Sequence, residues 1–468
     1  MSFTSLTYYL AFLAFLLVFQ CLQQPRMRQW LLLISSYAFY LAFDWRFGIL
    51  LFAQTAICFW DGRHLEPTSP RRQYWCWGCC LFSLGVLGWF KYYNFFAESF
   101  SRLLQVLHLP YLIPHLNILL PVGISFFTFQ SLGYVFDVYR GKIEPEKDLA
   151  VFALFVAFFP QLAAGPIGRA GELLPQLRSL ERPSTENLFD GIRQIIWGLF
   201  KKVVVADRLA MYVDIAYAHP ETMTSPTLLL ASIFFSLQIY CDFSGYSDMA
   251  IGSARLLGVE LRRNFDYPYF AISIGEFWKK WHISLTSWFR DYLYIPLGGN
   301  RCSTLKWIRN ILLIFLSSGL WHGANWTFLI WGGLHGVLYL AEIALRGKKP
   351  VAPKNIFVRI AFWLLTLGLV NLAWIFFRAP SLVVAWQILA GIGRWQGRLS
   401  LGPSQLTFLF NMLATMVFVG IEWRMFRGTQ LKQRQEGNIW LQALGYSGLL
   451  VLISLLGMTS ESFIYLQF

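Results

Sequence analysis

Charge is scarce in this chain of 468 residues: only 14% of its side chains are Asp, Glu, Lys or Arg, against about a quarter in a soluble globular protein. Acids are scarcer than bases, 25 against 39, which leaves a formal charge of +14. That deficit, beside 56% hydrophobic and 18% aromatic residues, excludes a disordered chain, a collagen-like repeat and a cytosolic enzyme. No linker, low-complexity tract or fixed-period repeat marks off a separate soluble domain. Common soluble chemistries are missing too. The chain has no Gly-x-Ser-x-Gly elbow, His-Glu-x-x-His pair, Gly-x-x-x-x-Gly-Lys phosphate loop or Gly-x-Gly-x-x-Gly fingerprint, so a serine hydrolase, zinc protease, ATPase or nicotinamide enzyme finds no support.

Cysteine offers no framework either, since there are seven, an odd number. Cys76, Cys79 and Cys80 lie inside an apolar segment with no matching His or Cys spacing nearby, so they read as small packing residues and no metal site is expected. The basic excess does not point to nucleic acid. Binders of that kind cluster Lys and Arg on one soluble face, whereas here they punctuate apolar runs as the loop charges of a membrane protein do.

What is present is apolar sequence from end to end. The opening MSFTSLTYYLAFLAFLLVFQ lacks the basic region and small-residue cleavage site of a secretory signal, and predicts a retained first helix. Further apolar segments follow at roughly 29–43, 46–60, 74–90, 117–136, 149–164, 190–206, 227–250, 310–345, 356–377, 405–423 and 439–457. They predict an all-α polytopic membrane protein of about eleven transmembrane helices, some short or broken, with re-entrant and interfacial helices added. One membrane unit over residues 1–468 is the simplest organisation. Basic clusters at Arg26 and Arg28, at Arg63 to Arg72, at Arg140 to Lys147 and beyond Arg346 belong on the cytoplasmic side.

Polar residues inside the apolar sequence are the informative ones. FQSLGYVFDVYRG (129–141) carries Gln130 and Asp137 on a helix, with Arg140 on the face of Asp137, which suits an ion pair near the interface. FFPQLAAGPIGRAGELLPQL (158–177) holds three prolines and three glycines where a helix should finish crossing. It is either a re-entrant wall buried in protein or an ordinary surface loop. QIYCDFSGYSDMAIGSARLLG (238–258) carries Asp242 and Asp248, too polar for lipid. They are either structural partners of Arg255 and nearby basic residues or the rim of a tunnel.

The densest constellation is NFDYPYFAISIGEFWKKWHISLTSWFRDYLYIPLGGNR (264–301), which mixes Trp278, Trp281 and Trp288 with Lys279, Lys280, His282, Arg290 and Asp291. Trp, Lys and Arg favour the membrane boundary, so this piece is expected to run along it and dip in. It suits either an interfacial anchor or a site for an anionic, planar ligand such as a nucleotide-bearing acyl donor.

SSGLWHGANWTFLIWGGLHG (317–336) contains the leading candidate, His322, beside Trp321. A largely apolar ten-residue stretch, 311–320, leads up to it, a rise of roughly 15 Å that places it near the midplane. An ionisable group at that depth is a functional candidate by default, and Gly319 and Gly323 would let a second backbone come close. Desolvation keeps such a histidine neutral, and a neutral imidazole can accept a proton from an attacking hydroxyl. His282 offers a second polar contact, while His335 reads as a packing partner.

These motifs, in this order and with WIFFRA (374–379) and the terminal FIYLQF, resemble the membrane-bound O-acyltransferases, and within them the bacterial alginate O-acetyltransferase-like branch. The resemblance covers most of the chain, with its motif core at about 120–380. It implies a helical funnel with a tunnel through the bacterial inner membrane, with His322 at the position of the family's invariant histidine and His282 at that of its second. It further implies an acyl donor on the cytoplasmic side, acetyl-CoA for this branch, with no cofactor bound permanently. The acetyl group would pass to periplasmic acceptor proteins of the SGNH type, for O-acetylation of an exopolysaccharide such as alginate or cellulose. Peptidoglycan O-acetylation and teichoic acid D-alanylation are the alternatives by the same chemistry, and a lipid-linked sugar transporter is the alternative of another class. In this reading Trp278 to Arg301 receives the donor, and Asn325 is the side chain offered to the oxyanion.

Overall fold

The computed structural model describes residues 4–66, 69–110, 113–162, 165–347, 353–402, 404–430 and 439–458, so the terminal FIYLQF lies outside the described residues. Every regular element among them is helical. Four helices, Ser225–Arg255, Trp326–Arg346, Ile356–Arg378 and Gln405–Thr429, are long and apolar enough to cross a membrane. Shorter apolar helices include Leu6–Cys21, Leu149–Leu162, Leu382–Arg394 and Gln442–Leu456. The chain divides into two compact units, Met1–Ile192 with Ala250–Arg262, and Arg193–Met249 with Arg263–Gln467.

In the first unit, the proline-rich break is buried in protein. The helix Leu149–Ala157 stops, Phe158 leaves helical geometry, and a single turn follows over Phe159–Leu162. Pro160 has no N–H to continue the ladder, so the last carbonyls of the first helix need other partners. Gln130 supplies one by donating from Nε2 to the Phe155 carbonyl at 2.5 Å. Gln161 in turn donates to the Gln130 side chain, and the Ser36 hydroxyl accepts from Phe159 N at 3.2 Å. Phe158, Phe159, Gln161, Leu162 and Ile167 are all buried, which selects the buried wall over the surface loop. Asp137 forms an ion pair with Lys142 at 3.4 Å.

In the second unit, a tight helical hairpin carries His322. Thr304–His322 and Trp326–Arg346 are joined by only Gly323, Ala324 and Asn325. The helix ends on His322 because Gly323 is extended, at φ −163° and ψ 149°. A Cβ on Gly319 would lie 2.3 Å from the Phe328 carbonyl oxygen, and one on Gly332 would lie 2.2 Å from that of Phe315. The two backbones therefore touch, and the partner of Gly319 is Gly332 across the hairpin rather than Gly323 along it. Gly323 instead leaves room for the Phe328 ring, 2.1 Å from where its Cβ would be. Gly332→Ala is expected to force the helices apart at a cost of about 1–3 kcal/mol or more, read as a lowered unfolding midpoint in detergent. An unchanged midpoint would show that the contact relaxes freely.

A second backbone contact aligns buried charge. Gly198 and Gly245 face each other so closely that either Cβ would fall within 2.7 Å of the opposite carbonyl oxygen. Just beyond Gly198 the helix widens into a π-turn over Phe200–Ala206, and Lys201 and Lys202 reach into the 238–258 segment. Lys202 Nζ lies 2.5 Å from Asp242 and 2.8 Å from Asp207. Lys201 Nζ lies 2.5 Å from Asp248 and 2.9 Å from the Ser244 hydroxyl. The structure thus supplies Lys201 and Lys202, not Arg255, as the partners of Asp248 and Asp242; Arg255 pairs with Glu260.

Candidate active site

The site is assembled within the second unit from three pieces: the corner at His282, the tip of the hairpin at His322, and the helix Ile356–Arg378. The corner begins with the short helix Ile274–Lys280, whose start is written in the sequence as Ser-x-x-Glu. The Ser273 hydroxyl accepts from Glu276 N at 3.0 Å, and the Glu276 carboxylate accepts from Ile272 N at 3.0 Å. Trp281 is extended, and His282 takes a left-handed conformation at φ 42° and ψ 55°. That conformation is costly for a non-glycine residue and persists only where neighbours hold it. Here the His282 Nδ1 accepts from Leu285 N at 3.3 Å, capping Ile283–Phe289, and Ile283 N donates to the Asn264 carbonyl at 2.8 Å. With Nδ1 accepting, the proton of a neutral His282 sits on Nε2.

The corner turns His282 toward His322. Their ring centroids are 6.3 Å apart, and both residues are buried, at 1% and 2% exposure. Aromatic rings surround His322: Trp321 and Trp331 at 5.0 Å and Phe377 at 5.4 Å between centroids. Trp321 also stands edge-on to His282 at 5.8 Å. A histidine so enclosed is kept from bulk water, which suits transfer of an acyl group that water would otherwise hydrolyse.

Of the residues singled out from sequence, the structure brings together His322, His282, Trp321, Trp281 and Trp278. Trp281 packs on Trp374 at 5.0 Å, and Trp278 packs on Trp331 at 5.7 Å. The charged residues lie apart from this cluster. Lys279 and Arg290 are exposed and Lys280 partly so; Lys280 pairs with Glu276 at 2.8 Å and Arg290 with Asp291 at 2.8 Å. Asn325 is committed to structure: its oxygen caps Thr327 N at 3.1 Å, and its amide donates to the Pro380 carbonyl at 3.0 Å.

Sequence reasoning missed Trp331, Trp374 and Phe377 as walls of the site; His335, read as a packing partner, does pack on Trp278 and Trp331 at 4.9 and 5.2 Å between ring centroids. A signal was available. Trp331 and His335 are four apart and Trp374 and Phe377 three apart, so each pair shares one helix face.

Comparison with known proteins adds the chemistry. A profile of MBOAT, the membrane-bound O-acyltransferase family, matches residues 145–347, which include both histidines. The chain is 41% identical to the probable alginate O-acetylase AlgI of Azotobacter vinelandii, over 89% of this chain and 83% of that protein. It is 39% identical to the probable alginate O-acetylase AlgI of Pseudomonas aeruginosa, over 90% and 82%. It is also 36% identical to the peptidoglycan O-acetyltransferase of Helicobacter pylori, over 78% and 73%. With likeness of this extent over most of its length, the chain belongs to the membrane-bound O-acyltransferase family and is an acyltransferase.

Proposed function

We propose that the enzyme is an O-acetyltransferase of the bacterial inner membrane, taking acetyl from acetyl-CoA on the cytoplasmic side and delivering it to an extracytoplasmic acceptor. The carrying observation is the buried pair His282 and His322, 6.3 Å between rings inside an aromatic shell. About eleven crossings around a tunnel would let donor and acceptor approach His322 from opposite sides. The acceptor hydroxyl loses its proton to His322 as its oxygen attacks the thioester carbonyl carbon. The new C–O bond forms, the C–S bond breaks, and the leaving thiolate takes the proton from His322. Thioester and alcohol thus become ester and thiol, and the histidine is restored.

The acceptor is a periplasmic protein of the SGNH type serving an exopolysaccharide such as alginate or cellulose. Relatives named alginate O-acetylases, matched over nine-tenths of this chain, support that choice over peptidoglycan. Exposed Lys279 and Arg290, with Lys280, receive the phosphates of the donor, and Asp291 orients Arg290. Reversing Lys279, Lys280 and Arg290 to Glu together is expected to raise the KM for acetyl-CoA about tenfold or more, one lost phosphate contact being worth about a factor of ten, with kcat unchanged. An unaltered KM would remove these residues from the donor site.

The test of the function uses the full chain in liposomes with labelled acetyl-CoA outside and a hydroxyl acceptor protein inside. Labelled ester appearing inside, with free CoA released outside, is the expected result. Polymer or lipid-linked sugar crossing without acetyl loss would instead make the protein a transporter.

A further inference from the structure

The shell around His322 carries an excess of hydrogen-bond donors. Trp281, Trp331 and Trp374 are each fully buried, and the indole Nε1–H of each has no acceptor among the described residues. Trp374 is the hub, with ring centroids of Trp281 at 5.0 Å and Trp331 at 5.6 Å. His335, also fully buried, stands 6.4 Å from Trp374 and 5.2 Å from Trp331. Its Nδ1 accepts from the Trp278 indole at 3.2 Å. An indole only donates, so the His335 proton is on Nε2, and that Nε2–H has no acceptor among the described residues either.

Four buried donors, then, sit on neighbouring rings with nothing to receive them. They cannot relieve one another, because a donor does not pair with a donor, and buried polar groups are ordinarily met. Four N–H donors without a partner suit a group that brings lone pairs and carries no proton of its own. It must accept without donating, and it must be small and flat enough for aromatic walls.

We infer that the N–H groups of Trp331, Trp374 and Trp281, with His335 Nε2–H, form the subsite for the carbonyl oxygen of the acyl group. This rests on the acetyl-transfer reading above. A thioester carbonyl offers two lone pairs and no proton, which matches a wall made of donors. Trp331 lies 5.0 Å from His322, so an acyl group held by the cage has its carbonyl carbon beside the base. When the hydroxyl oxygen attacks and its proton passes to His322, the carbonyl oxygen takes up the electron pair of the C=O π bond as negative charge. The preset N–H dipoles stabilise that charge without reorganising. The pair returns as the C–S bond breaks. His335 is a donor in this cage and also fixes Trp278.

The test compares wild type with Trp331→Phe and Trp374→Phe, which keep a ring and lose only the N–H. Each is expected to lower kcat about tenfold or more, a weak counterpart of losing one oxyanion donor, with KM for acetyl-CoA little changed. A second readout is the infrared band of donor labelled with 13C at the acetyl carbonyl, recorded without acceptor. In wild type it should move to lower frequency on binding, and in each Phe variant it should move part of the way back. Trp363→Phe is the control, since that indole already donates to the Tyr269 carbonyl at 2.7 Å, and its kcat should stay close to wild type. An unshifted band in wild type overturns the subsite, and it does so even if the Phe variants fail to fold. Full activity in both folded Phe variants also overturns it while leaving the acyltransferase reading intact, provided turnover still depends on His322. Absence of any His322-dependent turnover would overturn both.

Discussion

His322→Ala is expected to abolish acetyl turnover, with kcat falling by about 10²–10⁴-fold, the range contributed by a positioned general base. The loss should lie in kcat rather than in KM, because the imidazole acts on the proton that moves in the transition state and not on the donor's phosphates. Alanine also empties a buried site packed by Trp321, Trp331 and Phe377, so part of any loss could come from collapse of the shell. His322→Gln separates the two effects. Glutamine fills similar space and can hydrogen-bond, yet it cannot take up a proton at neutral pH. Both variants should be equally inactive, while only the alanine variant should unfold at lower temperature. Activity that instead follows the unfolding midpoint across the pair would make His322 a packing residue. Acetylation that persists in both would leave the protein a scaffold for another transferase.

The second large effect is on folding. Lys202→Met should destabilise the protein by about 3–5 kcal/mol, the cost of breaking a buried ion pair by removing one partner. The Lys202 ammonium stands between Asp242 and Asp207 at 2.5 and 2.8 Å, and all three side chains are at most 4% exposed. Without the cation, two carboxylates face each other in a medium too apolar to solvate them. The expected readout is loss of monodisperse protein after detergent extraction at neutral pH. Lys202→Met combined with Asp242→Asn should recover part of the loss, since one buried charge goes with its partner. A double-mutant cycle gives the coupling. A coupling near zero would mean that the three groups are solvated and that the triad is not a structural clamp.

The amino-acid sequence by itself determined the class. Few charges and repeated apolar segments leave a chain that can satisfy its backbone in a membrane only by forming helices, and every regular element among the described residues is helical. Local signals were equally legible: Ser273 and Glu276 announce the helix that leads to His282, and Pro160 announces the break at Phe158. The two histidine motifs were likewise visible, as residues whose chemistry has no place in plain hydrocarbon.

Partnership across long separations was decided only in the tertiary structure. Asp242 and Asp248 pair with lysines about forty residues upstream, whereas sequence spacing offered the nearer Arg255. Helical periodicity reports which side chains share a face, and it carries no information on which other face comes to meet them. Asn325 stands three residues from His322, yet its amide is spent on a helix cap and on Pro380. Trp374, more than fifty residues beyond His322, closes the aromatic shell. His282 and His322 come within reach because a left-handed corner and a three-residue hairpin turn are each held by contacts to distant backbone and rings, and those contacts exist only once the helices have packed.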